Sequence, residues 1–109
     1  MRLLIANANA TSAYAHLTLP AAAYPEREGT YTNFQGRVQR FREAFPPLGQ
    51  ALADWEILGR VLQEARGVAR PARAEDCFRE LAAAVPAFAG LTYRAIGDAG
   101  QMIRPETAA

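Results

Sequence analysis

Thr30-Tyr31-Thr32-Asn33-Phe34-Gln35-Gly36-Arg37-Val38-Gln39-Arg40-Phe41 decides how the rest of the chain is read. β-Branched and aromatic residues on either side suit a pleated, half-buried surface, and the four residues between them suit a turn. The stretch therefore predicts a hairpin with Gly36 at a positive φ, since only glycine takes that conformation without a steric cost. Asn33, whose short polar side chain tolerates the same region, is expected to share that role.

Towards the N-terminus, Leu3-Leu4-Ile5-Ala6 is a short apolar run ending at Asn7. A buried strand of a parallel sheet reads this way where its carboxyl end meets a polar loop. Thr11 or Ser12 is expected to cap a short helical turn through Ala15, and Leu17-Thr18-Leu19 forms a second extended piece stopped by Pro20. Residues 21–29 read as irregular or one-turn helix. A strand of the first kind normally has neighbours, so 1–45 is expected to be the end of a larger α/β domain, with an open strand edge prone to self-association.

Towards the C-terminus, Pro46, Pro47 and Gly49 mark a linker over 46–53. Asp54 is expected to cap a helix whose Trp55, Leu58, Val61, Leu62 and Ala65 share one face and which ends at Gly67. A second helix from about Arg73 to Val85 places Cys77, Phe78, Leu81 and Val85 together before Pro86. A last turn begins at Thr92 and carries Tyr93 and Ile96, closing a helical segment over 54–97. Residues 98–109 form a polar tail, frayed from Arg104. The expected architecture is α/β or α+β, with short parallel-type strands, a hairpin and two amphipathic helices.

Composition narrows the function. A chain of 109 residues fits one small domain burying about two thirds of its unfolded surface. Twenty-four of the residues are alanine, which adds little transfer free energy, so the core must come from few large side chains. Twelve arginines against eleven acids give a net charge of +1, with no basic field for nucleic acid. The single Cys77 forms no intramolecular disulfide, and no Cys-x-x-Cys pair or His cluster suggests zinc or an iron–sulfur cluster. The run at Leu3 is too short for a signal segment or a membrane span, which makes the cytoplasm the default.

Leu17-Thr18-Leu19-Pro20 followed by Glu26-Arg27-Glu28-Gly29-Thr30-Tyr31-Thr32-Asn33 and Gly36-Arg37-Val38-Gln39 resembles the molybdopterin oxidoreductase superfamily. Its pattern there is a strand ending in Leu-Pro, then Glu-x-x-Gly-Thr-x-x-Asn, then Gly-Arg-x-Gln. Tyr31, the ending Arg40-Phe41, Pro46-Pro47 and Asp54-Trp55-Glu56-Ile57-Leu58 tilt the resemblance towards the C-terminal part of the large iron–sulfur subunit of bacterial NADH-quinone oxidoreductase (complex I). The Asp-Trp-Glu-Ile segment is also similar to formate dehydrogenases, and His16 stands where the family usually has Asp.

The resemblance implies a fragment of a molybdopterin-oxidoreductase-like domain, from a subunit that carries its iron–sulfur clusters elsewhere. Its partners would be the remainder of that large subunit or other complex I subunits, at the cytoplasmic side of the inner membrane. In pterin-containing relatives the stretch matching Gly29, Thr30, Asn33 and Arg37 lies close to the cofactor. Glycine permits close approach, Asn offers a donor and an acceptor, and Arg clamps phosphate. An ordinary hairpin explains the same residues, and half a pocket holds a dinucleotide-sized ligand poorly.

The expectation is therefore a structural, non-redox segment without a cofactor of its own. The alternatives are part of a molybdopterin enzyme such as formate dehydrogenase, or an interaction module from a truncated or split gene. No Gly-x-Gly-x-x-Gly turn is present, so no NADH or formate oxidation is expected of the chain alone. Glu26 and Glu28 read as solvated acids, His16 as a structural histidine, Trp55 as core and Cys77 as an inert thiol.

Overall fold

A computed structural model describes residues 1–104, so the tail residues 105–109 lie outside the described residues. Leu3–Ala6 (β1) and Leu17–Pro20 (β2) run parallel, with Leu3 opposite Leu17 and Ala6 opposite Pro20. The connection contains a 3-10 turn over Ala10–Tyr14, capped not by Thr11 or Ser12 but by Asn9, whose side chain accepts the Thr11 N–H at 2.9 Å. Asn is as good a cap as Ser, and it stands earlier in the chain than the cap expected from the sequence. β2 ends at Pro20, the Ala21 N–H still donating to the Ala6 carbonyl at 3.3 Å, and Leu52 bonds on both sides of Ala21, donating to the Pro20 carbonyl at 3.2 Å and accepting from Ala22 at 2.8 Å.

Two compact units divide the chain, each built from separated segments: 1–28 with 42–70, and 29–41 with 71–109. In the first, helix α1 (Asp54–Arg66) ends on Gly67 at φ 66, a left-handed terminus that suits glycine. Its N-cap is Ala53, and Asp54 is already helical. The Asp54 carboxylate does not cap; it accepts the Arg27 guanidinium, which ties the loop before the hairpin to the first turn of the helix. The burial of α1 also departs from the expected face. Ile57 is its one buried residue, while Leu58, Val61 and Leu62 stay exposed and Trp55 is half-buried. The core of this unit is thus Ala21, Ala22, Ala53 and Ile57.

In the second unit, β3 (Gly29–Thr32) and β4 (Arg37–Phe41) form the expected hairpin, with Gly29 opposite Phe41 and Thr32 opposite Val38. Gly36 lies at φ 81. Asn33 does not share that conformation, for among the described residues none but glycine has a positive φ. A strand not foreseen from the sequence, β5 (Gln101–Met102), adds to the far side of β4. It was illegible because two residues carry no periodicity.

Helix α2 (Ala74–Ala84) is followed by a 3-10 turn over Pro86–Phe88 and by α3 (Tyr93–Ile96), whose Thr92 accepts the Ala95 N–H at 3.1 Å. Val38, Ala74, Phe78, Tyr93 and Ile96 are buried, whereas Leu81, expected beside Phe78, is 38% exposed. Phe78 meets Phe88 edge-on at 6.2 Å and Tyr93 at 5.5 Å between ring centroids, and the Arg40 guanidinium lies 4.2 Å from the centre of the Tyr93 ring. Such pairs are favoured by the aromatic quadrupole and stabilise beyond simple area burial.

The start of α2 carries a local charge cluster. Asp76 accepts the Arg73 N–H at 3.1 Å and lies 3.4 and 3.2 Å from the Arg73 and Arg79 guanidinium groups. The Arg73 side-chain hydrogen bond, with the charges of Arg73 and Arg79, outweighs partial burial and holds the Asp76 carboxyl below its usual range. A depressed folded pKa gives stability that is present above the unfolded value of about 3.9 and is lost as pH falls through the folded one. Titration of Asp76 followed by NMR is therefore expected to have its midpoint below that of an unfolded Asp, and Arg73→Ala to move it upward. A midpoint insensitive to Arg73→Ala would overturn the assignment.

Candidate functional site

The hairpin gathers all four residues that the resemblance marks, but not on one face. Directly opposed residues of an antiparallel pair point the same way, so Gly29, Tyr31, Arg37, Gln39 and Phe41 lie on one side and Thr30, Thr32, Val38 and Arg40 on the other. The stacking of Tyr31 on Phe41 at 4.6 Å marks the first side, and Arg40 over Tyr93 marks the second. Thr30 and Arg37 therefore face opposite ways. A ligand against one face meets Gly29 and Arg37 and not Thr30.

Three of the four, Gly29, Asn33 and Arg37, have local work that their residue type explains. A Cβ on Gly29 would stand 3.1 Å from the Phe41 ring, so glycine here lets the aromatic pair close down. The Asn33 side-chain oxygen accepts the N–H groups of Gln35 at 3.0 Å and Arg37 at 2.9 Å, an Asx turn that leaves its amide nitrogen as the group able to meet a ligand. Arg37 reaches the Ala99 carbonyl at 3.3 Å through a guanidinium nitrogen. What the arrangement offers chemically is one half-buried cation beside an aromatic pair.

A second place is the carboxyl end of the parallel pair, where ligands of open α/β sheets are commonly held. An open hollow of about 770 Å³ lies there, bordered by Asn7, Ser12, Thr18, Glu26 and several alanines. Glu26, expected as a solvated acid, is half-buried, and its carboxylate accepts the Ala23 N–H at 2.9 Å. It caps the 3-10 turn Tyr24–Glu26 by accepting an N–H at the start of the turn. Nothing in the sequence signalled this hollow, because small residues form it by being small.

The remaining candidates are structural. His16 Nδ1 accepts the Arg2 N–H at 2.8 Å, beside the start of β2. Burial first, then the nearby Glu80 and Asp76 charges, pushes the Cys77 thiol up from its ordinary pKa, which disfavours the nucleophilic thiolate. Among the described residues no group of three or more His, Cys, Asp or Glu is placed to hold a metal ion. No helix among them is long and apolar enough to cross a membrane.

Comparison with known proteins supplies what the geometry leaves open. The family model "Molybdopterin oxidoreductase" matches residues 4–64. The F420-dependent formate dehydrogenase 2 alpha chain of Methanococcus maripaludis is 39% identical over 93 residues, which are 83% of this chain and 14% of that protein. A putative formate dehydrogenase of Bacillus subtilis is 37% identical over 79% of this chain and 9% of its own length. An NADH-quinone oxidoreductase subunit of Rhizobium meliloti is 34% identical over 83% of this chain and 11% of its own length. The chain thus spans at most about a seventh of these relatives.

Proposed function

This chain belongs to the molybdopterin oxidoreductase family, and from that premise we propose that it is a structural, non-redox segment of an oxidoreductase large subunit of the NADH-quinone type. In that reading it passes no electrons itself. It packs against the remainder of the large subunit or neighbouring subunits, at the cytoplasmic side of the membrane.

The observation that carries this reading is the incomplete burial of the first unit. Parallel strands are ordinarily covered on both faces. Here the parallel pair and α1 bury a single large side chain, Ile57, and leave Leu3, Leu17, Leu58, Val61 and Leu62 each more than 40% exposed. An apolar surface of that kind fits a segment designed to be covered by more protein.

The second reading is a segment of a formate dehydrogenase, and it is favoured by the higher identity of the relatives of that name. In that case a molybdopterin cofactor, if bound, would supply the redox chemistry. Gly29 and Arg37, on one face of the hairpin, are the residues that would meet it, with Arg37 pairing with phosphate and Gly29 allowing close approach; Asn33 would offer its amide and Thr30 would support from behind.

Affinity recovery of the tagged chain from native cells, followed by molybdenum, tungsten and pterin analysis, separates the two. Co-recovery of NADH-quinone oxidoreductase subunits without pterin is the expected result. Co-recovery of metal and pterin would favour the second reading, and recovery of no oxidoreductase subunit would remove both.

A further inference from the structure

The hairpin tip presents a side chain that is left uncovered among the described residues. Phe34 is 96% exposed, more than any other aromatic among the described exposed residues. Its backbone is nonetheless firmly held. Asn33 N–H donates to the Arg37 carbonyl at 3.0 Å, Gly36 N–H to the Asn33 carbonyl at 3.0 Å, and the Asn33 side chain takes two further N–H groups. The Gly36 carbonyl accepts the Ile103 N–H at 2.9 Å, so the tip is anchored from the β5 side as well. A large ring on a prearranged turn loses little freedom on binding, which is how aromatic anchors gain their affinity.

Charge and size narrow what such a ring can enter. From Gly29 to Gly36 the chain has no ionisable side chain except the tyrosine, so docking the tip removes no ion from water. The aromatic tip is complementary to a neutral apolar protein socket; the single Arg37 behind it is half-buried and bonded to the Ala99 carbonyl, short of the several exposed cations that phosphate backbones or anionic lipid require. Four residues cover far less than the roughly 1,000 Å² that a specific free-standing interface needs. The tip therefore cannot by itself hold a second copy of this chain. It can secure a contact only with a surface already kept nearby, where effective concentration does the rest.

We propose that Phe34 is a docking anchor that inserts into an apolar socket on the remainder of the oxidoreductase large subunit. This rests on the segment reading given above. The anchor acts by filling a socket, so Phe34→Leu retains most of the contact and Phe34→Ala loses it.

The test places the photoreactive p-benzoylphenylalanine at position 34 of the tagged full chain in native cells and identifies the crosslinked peptide. Crosslinking to apolar residues of an oxidoreductase large subunit is the expected result. In parallel, Phe34→Ala is expected to lower recovery of that subunit about tenfold or more, Phe34→Leu to preserve it, and the melting temperature to stay unchanged in both. A crosslink to lipid or to a second copy, or equal recovery of the large subunit by Phe34→Ala, would overturn the anchor and leave the segment reading standing. If no variant, the unsubstituted chain included, recovers a large subunit, the segment reading fails and the anchor falls with it.

Discussion

Replacing Phe78 by alanine is expected to cost about 3–5 kcal/mol, the range for deleting a buried aromatic side chain. Phe78 is 4% exposed and contacts the rings of both Phe88 and Tyr93, so its removal takes away transfer energy and two aromatic pairs at once. The neighbours cannot close the gap easily. Phe88 is held by the 3-10 turn that begins at Pro86, and Tyr93 by the Thr92 cap and by Arg40 against its ring. For a small domain with total stability of about 5–15 kcal/mol, such a loss leaves little folded protein at moderate temperature.

Urea titration followed by circular dichroism measures it directly. Trp55→Ala serves as the comparison. The sequence suggested Trp55 as the central aromatic, but it is half-buried, so its loss is expected to be smaller, about 1–3 kcal/mol. Equal midpoints for Phe78→Ala and the unsubstituted chain would show that the three-ring cluster is not the core of its unit.

The contrast between Trp55 and Phe78 marks how far the sequence could be read. Local patterns were legible where the signal is local: a turn residue at Gly36, a helix stop at Gly67, a last helical turn from Thr92, and an extended apolar run from Leu3 to Ala6. The parallel-then-hairpin-then-helices plan followed from those, and so did the family, because the Glu-x-x-Gly-Thr-x-x-Asn and Gly-Arg-x-Gln patterns are sequence features. Which face of α1 is covered was not legible. Periodicity shows that Leu58, Val61, Leu62 and Ala65 lie together, but covering them needs a neighbour, and no neighbour is written into a helix's own spacing. Instead, the small Ala53 and Ile57 meet the first unit's core.

The candidate site was legible to the same degree and for the same reason. That Gly29, Thr30, Asn33 and Arg37 fall in one hairpin follows from their spacing. That Thr30 faces away from Arg37 follows only from the register, which a shift of one residue would reverse. Nor could the sequence assign the Asn33 oxygen to two backbone N–H groups rather than to a ligand. Asp54 gives the same lesson, since an acid at the start of a helix reads as a cap until an arginine 27 residues earlier is found to hold it.

Gly100→Ala is the second substitution with a large expected effect, about 2–5 kcal/mol. Two independent costs combine there. At φ +79 an L-residue pays about 1–2 kcal/mol relative to glycine. A Cβ would also lie 2.7 Å from the Val38 carbonyl oxygen, 2.8 Å from Gln39 Cγ and 3.1 Å from Arg37 Cγ, and forcing atoms into packed space costs about 1–3 kcal/mol more. Two of these neighbours are side chains that can shift, but the Val38 oxygen belongs to the middle strand of the sheet. Val38 is fully buried and its partner in β5 is Gln101, next to the substituted residue, so relief must come from β5 moving away. The two-residue strand has little to resist with, and the Ile103 bond to Gly36 that steadies the hairpin tip should loosen along with it. Gly49→Ala isolates the conformational cost, because Gly49 also has a positive φ, +57, but nothing stands within 4 Å of its Cβ position. The expected order is therefore a loss of about 1 kcal/mol for Gly49→Ala and a clearly larger one for Gly100→Ala, accompanied by faster hydrogen exchange at Met102 and Ile103. Equal losses for the two, with exchange at Met102 and Ile103 unchanged, would mean that close approach of β5 to β4 is not what the glycine at position 100 permits.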